Sequence, residues 1–194
     1  MQRTLHLVGF SYLAICGVVV LRHQTLRLKP ATGGAPTAAT FEGSAAQWFA
    51  AMKPFCNAVE VEIVHSRHPA PATLEGQGLS AACYALAGKI DSARAIIDRL
   101  AESNRYRAAG IVFDVAHPVA DAGDNRSAGP IMELVISYWP NHYMALYHAG
   151  MAEYALGQSE LARQNLTAFL SYYHESDGWT RSARETLGRL GVAR

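Results

Sequence analysis

The sequence predicts an all-α fold: a solenoid of helical hairpins with capping helices, preceded by a single transmembrane helix. Three observations carry that reading. Alanine fills 33 of 194 positions, a bias toward closely packed helices over sheets. Small residues and glycine recur at intervals of 34 and 35 residues, the period of a stacked supersecondary unit. One long apolar run without charge stands near the amino terminus.

Composition excludes several function classes. Half of the residues are hydrophobic and 17% are charged, below the ~25% of a typical soluble domain, so part of the chain is expected outside water. A formal charge of +1 argues against a nucleic-acid partner, which needs a basic face to displace counterions. Three cysteines are too few for a disulfide-dense scaffold. The hydrophobic content is too high for a wholly disordered chain.

The first element is Leu5 to Leu21, LHLVGFSYLAICGVVVL, which holds no acidic or basic residue. At ~1.5 Å per residue it spans roughly 26 Å, just short of a ~30 Å hydrocarbon core. Arg3 and Arg22 stand where they can snorkel at its ends. A cleaved signal peptide is the competing reading. It needs small residues soon after the run, and the first such site, Ala31-x-Gly33, is far downstream. Leu13-Ala14-Ile15-Cys16 resembles a lipoprotein cleavage box, but Ile15 is bulky where a small residue is wanted. Residues 1–29 are therefore expected to form an uncleaved single-pass anchor with a basic flank.

Orientation rests on a narrow balance. Arg22, Arg27 and Lys29 outnumber Arg3 and the terminal amine by one, a weak bias toward a cytoplasmic carboxy-terminal part. A candidate cysteine pair points the other way, and the domain is expected on the extracytoplasmic, periplasmic side.

Residues 30–43 lack large apolar residues over most of their length and read as a flexible spacer. Residues 44–73 are expected to hold a helix and an extended loop. Ser44 and Gln47 have capping-box spacing. Trp48, Met52 and Phe55 then fall on one helical face, and Pro54 closes the helix. Val59-Glu60-Val61-Glu62-Ile63 alternates apolar and acidic residues, which predicts a short isolated strand. Residues 68–78, with two prolines and two glycines, predict a loop.

The repeat occupies residues 74–176. Gly88, Gly123 and Gly157 each stand where a first helix should end. Seven residues earlier come Ala81, Ala116 and Gly150, which permit close helix approach. Five residues later come Ala93, Ala128 and Ala162, where the second helix should cross the first. Ile97, Met132 and Leu166, then Leu100, Val135 and Phe169, supply the bulk between units. The glycines permit the positive φ of a helix C-cap. In the middle unit, Pro118 is expected to shorten or kink the first helix, and Ala120 to Asn125 to form a longer turn.

This pattern resembles the tetratricopeptide repeat. The resemblance covers Leu74 to His174 in three units. It is clearest over Tyr143 to His174, with Ala145, Gly150, Tyr154, Gly157, Ala162, Leu166 and Leu170. The first unit departs from it, with Gly76 and Gly78 where a bulky residue is usual. Residues 177–194 are expected to form a capping helix started by Asp177, with Trp179, Ala183, Leu187 and Leu190 on one side.

The resemblance implies that first-helix side chains line a concave groove. Carried onto this sequence, those positions are Phe113 and His117 in unit two, and Met144, Tyr147, Met151 and Tyr154 in unit three. Aromatic residues and methionine suit adaptable peptide-binding surfaces. The basic carboxylate clamp of some family members is not evident. Cys56 and Cys83, 27 residues apart, are a candidate disulfide joining the first helix to unit one, or else two buried thiols.

Eight histidines raise the question of metal, but no His-Glu-x-x-His or cysteine cluster is present. No catalytic residue, metal, cofactor or small-molecule substrate is expected. The expected function is a membrane-tethered scaffold that binds a protein or peptide in its groove, without catalysis. The alternative is an enzyme or metal-binding protein using the Cys56–His68 region.

Overall fold

The computed structural model describes residues 43–192. The apolar run at 5–21 and the spacer up to residue 42 lie outside the described residues. Among the described residues, no helix is long and apolar enough to cross a membrane.

The described part is all-helical. Its elements are α1 (Ala45–Met52), α2 (Val61–Arg67), α3 (Leu74–Leu86), α4 (Ile90–Asp98), α5 (Glu102–Asp121), α6 (Asn125–Tyr138), α7 (Tyr143–Ala155), α8 (Ser159–Tyr172) and α9 (Gly178–Val192). Helices α3–α4, α5–α6 and α7–α8 are three successive hairpins. First helices α3 and α5 pack side by side, α6 packs on α7, α1 lies on α3, and α9 lies on α8 and α7. This is the layout of a helical-repeat solenoid with a cover at each end.

The three hairpin turns share one backbone geometry. Gly88, Gly123 and Gly157 have φ of +73°, +77° and +78°. In each turn the glycine N–H donates three residues back, to Ala85, Ala120 or Tyr154. The next N–H donates five back, from Lys89 to Tyr84, Asp124 to Val119 and Gln158 to Glu153. That pair of bonds satisfies the last carbonyls of the first helix and reverses the chain. A side chain would strain the left-handed residue of each turn.

Close packing explains the rest of the recurrence. Ala81, Ala116, Ala93, Ala128 and Ala162 are essentially without exposure, as are Ile97, Met132 and Leu166. At Gly150 even a Cβ would lie 2.7 Å from Leu166 Cγ, so only hydrogen fits where α7 meets α8. The middle unit obeys the same geometry, contrary to the longer turn expected at Ala120 to Asn125. Helix α5 runs through Pro118 to Asp121, and the turn is as short as the other two. Pro118 has no N–H to donate to the Asp114 carbonyl four residues back, and the helix gives up that one bond and continues to its end at Asp121.

The segment before the repeats corrects three expectations. Residues 59–63 form no strand. Asn57 Oδ1 accepts from the N–H groups of Val59 and Glu60 and winds the chain into α2. There Val61 and His65, four apart, are buried, while Val59 and Ile63 are exposed. The acidic alternation reflects a short helix with a narrow inner face, not a pleat. Residues 68–78 are not all loop either, because Thr73 caps α3 by accepting from the Gly76 N–H at 3.1 Å. Gly78 sits inside α3, where a Cβ would meet Ile111 of α5. Phe55 leaves the face of Trp48 and Met52 and is exposed, because the chain tightens into a 3-10 turn over Lys53–Phe55.

Trp48 is fully buried and donates its indole N–H to the His68 carbonyl at 3.1 Å. Cys56 and Cys83 form a disulfide with Cα atoms 4.8 Å apart, fastening the end of the α1 segment to α3. The capping box of Ser44 and Gln47 is formed, and Asp177 Oδ1 accepts from Trp179 and Thr180 at the start of α9.

Candidate functional site

First helices α5 and α7 carry a continuous band of aromatic rings. Tyr106 meets Trp139 edge-on at 5.8 Å, and Trp139 meets His142 at 4.6 Å. His142 lies 4.2 Å from Phe113, which stacks on His117 at 4.8 Å. His117 meets His148 at 4.8 Å, and His148 meets Tyr147 and Trp179. Helical spacing makes the band: Phe113 and His117 are four apart on α5, and Met144, Tyr147 and Met151 follow at three and four on α7.

Two cavities open along it. One, of about 420 Å³, is lined by Gly110, Phe113, Asp114, Trp139, Asn141, His142, Tyr143 and Met144. Its wall is mainly apolar and aromatic, with Asp114 as the one carboxylate in the lining. The second, of about 270 Å³, is lined by Ala120, Asp121, Asn125, Ala128, Tyr147, His148, Met151 and Trp179. Each is within the size range of ligand sites, or close to it.

The groove residues expected from sequence divide as follows. Phe113 and Met144 line the first cavity, and Tyr147 and Met151 line the second. His117 stands between them, touching Phe113 and His148. Tyr154 lines neither. Phe113 and Tyr147 are more than nine-tenths buried, so they form the floor, while Met144 and Tyr143 supply accessible surface. Sequence reasoning missed Tyr106, Trp139, His142, His148 and Trp179. Trp139 and His142 lie in the turn between hairpins, and Trp179 in the terminal helix, so a rule limited to first helices passes over them.

Burial governs the imidazoles. His148 is pushed down to about 4, first by burial and then by the neighbouring His117, with Asp121 opposing. Burial likewise lowers His142, against its own backbone hydrogen bond and Asp114. His142 Nδ1 accepts from the Ala145 N–H at 3.2 Å, a cap for α7 that requires an unprotonated nitrogen. The Nε2 atoms of His117 and His148 are buried without a hydrogen-bond partner.

In the Cys56–His68 region, on which the alternative reading rests, the structure leaves fewer free groups than the sequence offers. Cys56 is bonded to Cys83 and offers no thiolate. His65 is buried against Trp48 and Tyr84, and burial lowers it to about 4. His68 is exposed. His65 does border a polar cavity of about 410 Å³ with Glu62, Gln77, Ser80, Tyr84 and Arg99. Among the described residues, three side chains close enough to share a metal ion are His117, Asp121 and His148, in the aromatic band. They lie 4 and 27 residues apart; the His-x-x-x-Asp step on one helix was the legible half.

Residues 144–176 match the family model of the tetratricopeptide repeat. That span covers α7, the Gly157 turn and α8, the third hairpin. No curated protein and no solved structure matches the chain.

Proposed function

We propose that the domain is a docking scaffold, and that its aromatic band takes an apolar segment of a protein partner. The carrying observation is the open cavity between α5 and α7, walled by Phe113, Trp139, His142 and Met144. Rigid rings offer large contact area at little entropic cost, and methionine adapts to the occupant. Tetratricopeptide repeats generally bind protein partners, and the match of the third hairpin supports the same role here. Hairpins α3–α4 and α5–α6 are read as diverged copies of that unit, because all three share the glycine turn and the alanine crossing. The protein performs no catalysis of its own in this reading.

The apolar run at 5–21 tethers the domain to a membrane, and the domain faces the extracytoplasmic side. The Cys56–Cys83 disulfide supports that side, since such bonds persist in oxidising compartments. It closes a 27-residue separation and should stabilise the domain by roughly 3 kcal/mol on the chain-entropy model. Thiol labelling of the unfolded, unreduced protein from its native compartment should leave Cys56 and Cys83 unmodified. Labelling at both would place the domain in a reducing compartment.

Docking is tested by a photo-crosslinking side chain at Met144 in the full chain, in native membranes. The expected result is a defined adduct at Met144 and none at Glu160, an exposed residue of α8. Equal adducts at the two positions would remove the groove as the binding face.

A further inference from the structure

We propose that His117, Asp121 and His148 form a binding site for a divalent transition metal ion, zinc foremost, that joins unit two to unit three. This inference does not depend on the docking reading. His117 and Asp121 are one turn apart on α5, and His148 comes from α7. His117 Nε2 lies 3.5 Å and His148 Nε2 lies 3.7 Å from Asp121 Oδ1. All three donor atoms fall within 4.8 Å of one another.

Those distances are too long for hydrogen bonds, which close at ~2.7–3.2 Å. They suit a shared ion: ligand bonds of about 2.0–2.2 Å in a tetrahedron put donors about 3.4 Å apart. The unpartnered nitrogens point the same way. His148 is 6% exposed, and neither its Nε2 nor that of His117 finds a partner. A buried imidazole nitrogen without a hydrogen bond carries a desolvation penalty. A metal ion accepting both lone pairs would relieve it at two residues together.

The donor set selects the ion. Two imidazoles and one carboxylate suit zinc, iron(II), cobalt or nickel, and not calcium or magnesium, which take oxygen ligands. Asp121 and His148 also line the cavity shared with Asn125, Tyr147, Met151 and Trp179. With three protein ligands, the remaining coordination position faces that space and takes water or a donor group from a bound partner.

The test uses the untagged full chain in detergent, stripped with chelator and then dialysed at pH 7 against zinc or cobalt(II). One ion per chain is expected, with cobalt bands characteristic of imidazole ligation, and no calcium or magnesium. Asp121 is half-exposed, so Asp121→Ala should fold as the parent does. Asp121→Ala and His117→Ala should each weaken binding by more than about 100-fold, because losing even an outer partner of a ligand costs about 10- to 100-fold. His68→Gln, at an exposed residue outside the cluster, should change nothing. Zinc should raise the melting temperature of the parent and not of Asp121→Ala. Absence of stoichiometric binding overturns the proposal, as does binding that survives in both Asp121→Ala and His117→Ala.

Discussion

The seam inside the third hairpin and the aromatic band beside it share helix α7 but are built on opposite rules. In the seam, Gly150, Ala162, Leu166 and Phe169 are buried and apolar, and the buried Glu153 carboxylate accepts from Asn165 Nδ2 at 2.7 and 2.9 Å. In the band, Phe113, Tyr147 and His148 are buried, yet the Nε2 atoms of His117 and His148 go without hydrogen-bond partners and two cavities remain open. A surface optimised only for stability fills such spaces and pairs such groups. The contrast places the stability of the hairpin in the seam and fits the recognition role proposed above for the band.

Acid should break the band hardest. His148 stays neutral in the folded chain down to about 4, while an unfolded histidine takes its proton near 6.5. The unfolded state therefore binds more protons between those values. Stability is complete above about pH 6.5 and falls by about 3 kcal/mol toward pH 4. His65, lowered to about 4 by burial, should contribute a loss of the same order. Denaturant melts in chelator across this range should flatten in part in His148→Gln. An unchanged pH slope in that variant would show that His148 is solvated.

The seam should respond to volume instead. Gly150→Ala sets a methyl group 2.7 Å from Leu166 Cγ, and Ala162→Leu inserts three carbons at a residue with no exposure. Each should cost about 1–3 kcal/mol, the usual penalty of overpacking, with no dependence on pH between 5 and 8. A melting temperature unchanged by both would mean that α7 and α8 do not cross as described.

Surface changes on the band should leave stability almost untouched. Tyr143 is 42% exposed, and Tyr143→Ser is expected to cost less than about 0.5 kcal/mol. The same change should reduce crosslinking from the neighbouring position.

The third hairpin was the most legible part of the chain, because each structural requirement there falls on its own residue type. Gly157 supplies the positive φ, Gly150 and Ala162 the close crossing, and Leu166 and Phe169 the fill. Residues 57–73 were the least legible. Val59 and Ile63 belong to no core, so the apolar alternation carried no burial information, and the cap made by Asn57 is a local bond that periodicity does not report. The placement of Phe113 and Tyr147 at the two cavities followed from the repeat register. The histidine–aspartate cluster did not, since it needs the distance between α5 and α7, which sequence spacing leaves open.

The most direct test of the division between seam and band compares Met144→Glu with Gly150→Ala in the full chain. Melting temperature and crosslinking from Tyr143 are measured on the same preparations, well below both transitions. Met144→Glu should abolish the adduct and lower the melting temperature less than Gly150→Ala does, because Met144 is only half-buried. Gly150→Ala should lower the melting temperature and keep the adduct. An adduct retained in Met144→Glu and lost in Gly150→Ala would contradict the account, since binding would then depend on the seam.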